Sequence, residues 1–252
     1  MSDPREARPE LVLVHGWGLG NAVWQSLVGP LAEGGRLQLV DLPGYPGSEA
    51  SAPVDFDTAV KMLLDSIPTR ASLCGWSLGG MLALRAAVLA PERVAALLLV
   101  ATTPSFTQRA DWSAAQPRAV VDAFAETVEG HPARTLQRFV SLICEDDAQA
   151  RPVGRQLLAA LRAAPLPASA CLHRGLDWLR DVDLRSLLTR VTAPTLLIHG
   201  QNDRLTPLAA ARHVLARIPR ARLEVFSGAG HAPFLADPAR FVRLVGAFRD
   251  ER

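Results

Sequence analysis

Cys74-Gly75-Trp76-Ser77-Leu78-Gly79-Gly80 lies between an apolar run, Ala71 to Cys74, and a helix-forming run, Leu78 to Ala90. A G-x-S-x-G core at a strand-to-helix turn forces its serine into a strained backbone, and only small neighbours permit so tight a bend. Such a turn lifts the hydroxyl clear of the sheet. The following helix aims its first N–H groups and its positive dipole end at the same point. Gly75 and Gly79 read as steric permissions for an exposed nucleophile, Ser77. The five-residue pattern is common in loops, so its surroundings carry the argument.

Those surroundings alternate. Leu11 to Val14 is a short apolar run closed by His15-Gly16-Trp17-Gly18, as in a strand buried on both faces. A helix is expected over about Val23–Ala32, with Asn21 as its cap, then a strand at Leu37–Val40. Asp41-Leu42-Pro43-Gly44-Tyr45-Pro46-Gly47-Ser48 is a turn-rich loop. Asp55 or Asp57 starts a helix that runs to Ile67, where Pro68 stops it. After the elbow come a strand at Val94–Ala101, then, past a long interruption, strands at Thr195–Ile198 and Leu223–Phe226. Helices are expected at Ala209–Ile218 and Pro238–Arg249. This rhythm predicts an α/β fold with a mostly parallel sheet of six or seven strands flanked by helices.

The interruption is helical throughout, with segments near Ala114–Glu129, Ala133–Ile143, Arg151–Ala164 and Ala168–Arg180. A stretch of this length exceeds any crossover connection, which predicts an inserted cap. The expected division is a core formed by residues 1–104 and 189–252, with a helical cap at 105–188.

The whole chain has 252 residues, 49% apolar and 21% charged, a composition suited to one large globular unit rather than a disordered chain. A net charge of +2 gives no global case for nucleic-acid binding. Lys61 is the only lysine among 27 basic residues, so the basic side is arginine. Residues 1–10 lack the apolar core of a secretory signal, and no run approaches the roughly 18 apolar residues of a membrane span. Cys74, Cys144 and Cys171 are scattered without metal-ligand or C-x-x-C spacing. A cytoplasmic monomer with neither membrane nor nucleic-acid contact is expected, requiring no metal or other cofactor.

In parallel sheets the loops at the carboxyl ends of strands carry the chemistry. Three of them hold a nucleophile relay: Ser77, Asp203 in Gly200-Gln201-Asn202-Asp203, and His231 in Gly228-Ala229-Gly230-His231. A serine hydroxyl needs a base, imidazole suits that role near neutral pH, and an ionised carboxylate fixes the imidazole tautomer. The chain order Ser, Asp, His is that of the α/β-hydrolase fold. Asp181 and Asp183 are weaker carboxylate candidates because they fall in the helical insertion. His15 and His199 end strands beside glycines and fit loop support better than catalysis. Cys74 fits a buried thiol. The oxyanion donors expected are the backbone N–H groups of Leu78 and Trp17; losing one such donor typically costs about 2.7–4 kcal/mol of transition-state stabilisation.

Several stretches together resemble the pimeloyl-acyl carrier protein methyl ester carboxylesterases of biotin synthesis. They are Gly75-Trp76-Ser77-Leu78-Gly79-Gly80, His15-Gly16-Trp17-Gly18, Asp41-Leu42-Pro43-Gly44 and Gly230-His231-Ala232-Pro233-Phe234. The likeness extends through Thr103-Pro104-Ser105-Phe106, Asp111-Trp112, Arg138-Phe139-Val140-Ser141-Leu142 and Asp181-Val182-Asp183-Leu184-Arg185. It implies hydrolysis of a methyl ester on a pimeloyl chain carried by acyl carrier protein. By position it implies an acyl site lined by Trp17, Ser77, Leu78, Phe139, Val140, Ser141, Leu142, Ile143 and His231. It likewise implies that Arg134, Arg138, Arg151 and Arg155 bind the carrier. The i, i+4 spacing of each arginine pair puts both members on one helix face, although solvated faces in an arginine-rich protein have the same spacing. The chain departs from the family pattern at Pro46, Gly47 and Ile143, where glycine, arginine and glutamine are more usual. Alternative functions are a general short-chain carboxylesterase, a carbon–carbon bond hydrolase with the same triad, or a receptor built on a hydrolase pocket.

Overall fold

The computed structural model describes residues 8–48 and 55–251. Six parallel strands form one sheet: β1 (Glu10–Val14), β2 (Leu37–Val40), β3 (Ala71–Trp76), β4 (Val94–Val100), β5 (Thr195–Gly200) and β6 (Ala221–Phe226). Their order is β2-β1-β3-β4-β5-β6, and every neighbouring pair is parallel. The inner strands are buried almost throughout, whereas β2 and β6, at the two edges, are half-buried. Helices on both faces account for this, since a parallel sheet cannot leave a face in water and keep continuous apolar runs.

The helices are α1 (Val28–Ala32), α2 (Phe56–Ser66), α3 (Leu78–Leu89), α4 (Arg118–Val128), α5 (Pro132–Ile143), α6 (Ala150–Arg162), α7 (Ser169–Asp181), α8 (Leu208–Leu215), α9 (Pro233–Ala236) and α10 (Pro238–Asp250). Asp55 caps α2 by accepting from Thr58 N–H, and Ile67 turns extended before Pro68. The expected first helix needs correction: Asn21–Leu27 is a 3₁₀ turn and only Val28–Ala32 is α-helical. Asn21 is not the cap, because Gly20 holds that position without a side-chain bond. Instead the Asn21 N–H donates to Asp41 Oδ1 at 2.9 Å. The first helix of the insertion starts at Arg118, four residues later than expected, since Phe106, Gln108 and Arg109 hold the preceding backbone in turns with residues 112–116.

α3 is buried along nearly its whole circumference, which explains why its sequence lacks an amphipathic stripe. Beneath the elbow, Trp24 packs tilted against Phe234 at 4.4 Å between centroids, and Trp76 meets Phe234 edge-on at 5.2 Å. Four helices, α4 to α7, lie between β4 and β5 in sequence and pack against one another and onto the first loop of the sheet. Among the described residues, no helix is long and apolar enough to cross a membrane.

Candidate active site

Ser77 follows β3 directly and opens α3 with φ +55° and ψ −118°. A non-glycine residue held in the left-handed region costs on the order of 1–3 kcal/mol and persists only where surroundings over-determine it. Here Ser77 N–H donates to Val100 O at 2.9 Å, and Ser77 O accepts from Gly80 and Met81 N–H at 3.0 and 3.1 Å. The glycines beside it answer to close approach. A β-carbon on Gly75 would stand 2.6 Å from Gly80 Cα, and one on Gly79 would lie 2.7 Å from Val14 O. One on Gly80 would collide with the Thr102 side chain. Since α3 starts at Leu78, the Leu78 N–H belongs to the first-turn donors that the helix itself cannot pair.

Loop 15–18, after β1, lies against this elbow: a β-carbon on Gly16 would stand 3.2 Å from Ser77 Cβ. Trp17 is buried, and its Nε1 donates to Leu172 O of α7 at 2.8 Å. Its ring meets Phe139 of α5 edge-on at 4.9 Å and Phe124 of α4 at 6.0 Å. Trp17 thus joins three of the inserted helices to the first loop of the sheet. Gly18 N–H donates to the Tyr45 hydroxyl at 2.8 Å, and the Tyr45 ring tilts over His15 at 4.7 Å. Burial pushes the Tyr45 phenol far above its usual range, so it stays neutral.

Asp203 and His231 meet at the ends of β5 and β6. His231 Nδ1 donates to Asp203 Oδ2 at 2.8 Å, a bond that fixes the tautomer and leaves Nε2 as the basic nitrogen. That Nε2 is buried and has no hydrogen-bond partner among the described residues. Asp203 Oδ1 accepts from Leu205 and Thr206 N–H at 2.9 and 2.8 Å, and Oδ2 accepts from Thr206 Oγ1 at 2.7 Å. Burial raises the carboxyl's pKa, but the His231 charge and hydrogen bond, with His199 and Thr206 behind them, hold it below the usual carboxylate range. Asp203 is therefore ionised at neutral pH. Ser77 is 6% exposed and His231 1%, so both are closed off from bulk water.

The competing residues are occupied elsewhere. His15 Nδ1 donates to Gly16 O at 2.7 Å and its Nε2 accepts from Leu42 N–H at 3.0 Å, which makes it a brace between two loops. His199 Nε2 donates to Thr206 O at 2.6 Å, and burial lowers its pKa. Asp181 pairs with Arg118 and Arg180, and Asp183 with Arg185 and Arg109. Cys74 is fully buried, which pushes its thiol up to about 12. Among the described residues no group of three or more His, Cys, Asp or Glu is placed to hold a metal ion.

The expected acyl-site residues separate by helix face. Phe139, Val140 and Ile143 are buried, Leu142 is half-buried, and Ser141 is exposed with its hydroxyl donating to Gln137 O at 3.3 Å. Ile143 reaches the site through its backbone, accepting the His231 N–H at 3.3 Å. Arg134 and Arg138 on α5 and Arg151 and Arg155 on α6 are exposed, and none makes an ion pair among the described residues. Arg138 stacks its guanidinium 5.4 Å from the Phe124 ring. A groove of about 300 Å³ runs between Gly18 and Tyr45 on one side and Leu161, Pro165 and Leu166 on the other. At Gly47 a β-carbon would collide with the Asp41 carboxylate, so the arginine usual there has no room in this loop.

Sequence reasoning missed three supports of this site. Thr206 was available as the end of an Asp203-Arg204-Leu205-Thr206 turn, since an aspartate side chain commonly pairs with backbone two or three residues on. Tyr45 lies in the turn-rich loop after β2, and nothing local in sequence points to its partner Gly18. Asp147, the last of three consecutive acidic residues to which the sequence assigned no role, is 7% exposed and accepts from Gly230 N–H at 2.7 Å.

Residues 11–244 match the model of the alpha/beta hydrolase family. A pimeloyl-acyl-carrier protein methyl ester esterase of Nitrosomonas europaea is 43% identical over 240 residues, covering 95% of each chain. One from Photobacterium profundum is 38% identical, covering 95% of this chain and 94% of that one. Among solved structures, an esterase from Exiguobacterium antarcticum superposes with a TM-score of 0.83 at 26% identity, over 96% of this chain and 93% of that one. A meta-cleavage product hydrolase from Pseudomonas fluorescens shares the fold at TM-score 0.74 and 21% identity, over 96% and 91%. With its six-stranded parallel sheet and elbow serine, the chain belongs to the alpha/beta hydrolase family and, within it, to the family of the pimeloyl-acyl-carrier protein methyl ester esterases.

Proposed function

We propose that this protein is a cytoplasmic serine carboxylesterase, acting as a monomer on the methyl ester of pimeloyl-acyl carrier protein and releasing methanol and pimeloyl-acyl carrier protein. The observation that carries the reading is Ser77, held in the left-handed conformation between β3 and α3, in a site that also holds the Asp203–His231 pair at 2.8 Å. Relatives 36–43% identical over about 95% of this chain supply the substrate.

The chemistry follows from the groups present. Ser77 Oγ attacks the ester carbonyl while His231 Nε2 takes its proton, and Asp203 stabilises the imidazolium that forms. The carbonyl oxygen becomes an oxyanion between the N–H groups of Leu78 and Trp17. Collapse expels methoxide, which leaves as methanol with the proton from His231. Water, deprotonated by the same imidazole, then attacks the acyl-Ser77 ester; the imidazolium returns its proton to the departing Ser77 Oγ, and the pimeloyl carboxylate is released.

Residues 105–188 serve as a cap over a core of 1–104 and 189–252, with Phe139, Val140, Leu142 and Ile143 along the acyl chain and Ser141 at its rim. Arg134, Arg138, Arg151 and Arg155 present four guanidinium groups with no ion-pair partner among the described residues, on two packed helices, a face suited to an acidic carrier protein.

Complementation tests the substrate and labelling tests the chemistry. The gene is expected to restore biotin-free growth to a bacterium lacking this esterase, and its Ser77→Ala variant is not. A fluorophosphonate is expected to label wild type and not Ser77→Ala. Absent labelling with no ester turnover would sink the catalytic reading. Good turnover of short aryl esters without complementation would leave a general esterase.

A further inference from the structure

We propose that Asp147, in the turn between α5 and α6, is a positioning residue for His231; the inference rests on His231 as the general base. Asp147 is buried, at 7% exposure, yet among the described residues it pairs with no cation. Burying a carboxylate without a counter-ion is costly unless its oxygens are fully hydrogen-bonded. Both oxygens are committed to backbone: Oδ1 accepts from Gln149 N–H at 2.6 Å, and Oδ2 accepts from Gly230 N–H at 2.7 Å.

The Gly230 bond is one of three between the loop that carries His231 and this turn with the last residue of α5. Ala148 N–H donates to Gly228 O at 2.8 Å, and His231 N–H donates to Ile143 O at 3.3 Å. The fit is close, since a β-carbon on Gly230 would stand 3.0 Å from Ile143 O and 3.2 Å from Asp147 Cβ. The same turn reaches the loop of the carboxylate. Asp146, at φ +58°, accepts from Asn202 Nδ2 through its carbonyl at 2.9 Å and pairs its side chain with Arg204 at 2.6 Å. Residues 143–148 thus hold the Asp203 loop and the His231 loop together from the side of the inserted helices.

Among these contacts, the Asp147–Gly230 bond is the only one made by a buried charged side chain, and it acts on the Ala229–Gly230 peptide, one residue before the base. Charge-assisted bonds to backbone N–H are about twice as strong as neutral ones. Removing this acceptor frees the Gly230 peptide to rotate and lets the imidazole drift relative to Ser77. The orientation of the base acts on the chemical step, so the effect belongs to kcat rather than to substrate affinity.

The test is steady-state hydrolysis of p-nitrophenyl acetate by wild type, Asp147→Ala, Asp147→Asn, His231→Ala and the Asp147→Ala/His231→Ala double variant, with thermal melts of each. Asp147→Ala is expected to lower kcat about 10- to 100-fold, the scale of a small misplacement of a reacting group, with KM within about twofold. Asp147→Asn keeps one carbonyl acceptor in the same volume and is expected to recover a substantial part of kcat. In the His231→Ala background the same alanine change is expected to add no further loss. A kcat for Asp147→Ala within about twofold of wild type overturns the proposal, as does Asn no faster than Ala, or an undiminished effect without His231. Activity of His231→Ala equal to wild type would instead remove the general-base reading on which it rests.

Discussion

The indole Nε1 of Trp76 donates to the backbone carbonyl of His231 at 2.8 Å. The residue before the candidate nucleophile therefore grips the candidate base across 155 positions of chain. With Ile143 O on its N–H side, His231 has both of its own backbone polar groups fixed by residues from distant segments. The Trp76 ring also lies 5.7 Å from the imidazole and 5.2 Å from Phe234, so packing and hydrogen bonding act on the same loop.

Replacing Trp76 by Phe keeps most of the packing and leaves the His231 carbonyl without its donor. A stability loss of about 1–3 kcal/mol is expected, the cost of an unsatisfied buried acceptor. Urea unfolding measures it, and kcat for a small ester should fall with it. Unchanged stability and unchanged kcat would show that this bond contributes nothing.

Asp203→Asn tests the tautomer argument. Asn at this position can offer its amide group to His231 Nδ1 and so favour the tautomer with the proton on Nε2, the wrong nitrogen for a base. By analogy with serine proteases, kcat is expected to fall roughly 10⁴-fold while the fold persists. A loss below about tenfold would mean that another carboxylate orients the imidazole.

His199 gives a pH dependence with a defined sign. Its folded pKa is depressed below the ordinary 6.5 by burial. The neutral form is thus favoured on folding, and the related stability is complete above 6.5, declines as pH falls from there, and is gone below the folded value. Melting temperature should decrease on acidification through that window. His199→Gln, which can still donate to Thr206 O, should flatten the decrease. An equally steep decrease in the variant would assign it to other groups.

Reversing Arg138 and Arg155 to Glu alters two exposed charges on packed helices. Turnover of the carrier-linked ester should fall, with the deficit shrinking at high salt as charge steering is screened. Turnover of a small free ester should stay within about twofold, because both side chains are exposed and an exposed guanidinium–ring contact such as that of Arg138 on Phe124 is worth only about 0.5–1 kcal/mol. Equal losses on both esters would indicate damage to the fold.

How far the site could be read from residues alone depended on the range of the interactions involved. The elbow at Gly75–Gly79 was readable because a positive φ at Ser77 and close approach by the glycines are demands of local backbone. The six inner and edge strands were readable as apolar runs, and the order Ser77, Asp203, His231 as chain order. The first helix differs because the buried pair Trp24 and Leu27, spaced i, i+3, suits a 3₁₀ turn as well as an α-helix, and the Asn21 N–H is bonded to Asp41 instead of the residue serving as a cap.

Sequence by itself determined that strands and helices alternate, that a long helical segment interrupts them, and which serine, aspartate and histidine fall in loops at strand ends. Those features rest on periodicity and on steric limits within a few residues. Only the tertiary structure decided that Tyr45 holds Gly18, that Trp17 joins α4, α5 and α7 to the sheet, and that Asp147 is buried against Gly230. Each of those bonds joins segments far apart in the chain, and the β2-β1-β3-β4-β5-β6 order is what brings them face to face. An acidic residue in an acidic run looks solvated until the packing of a distant loop removes its water.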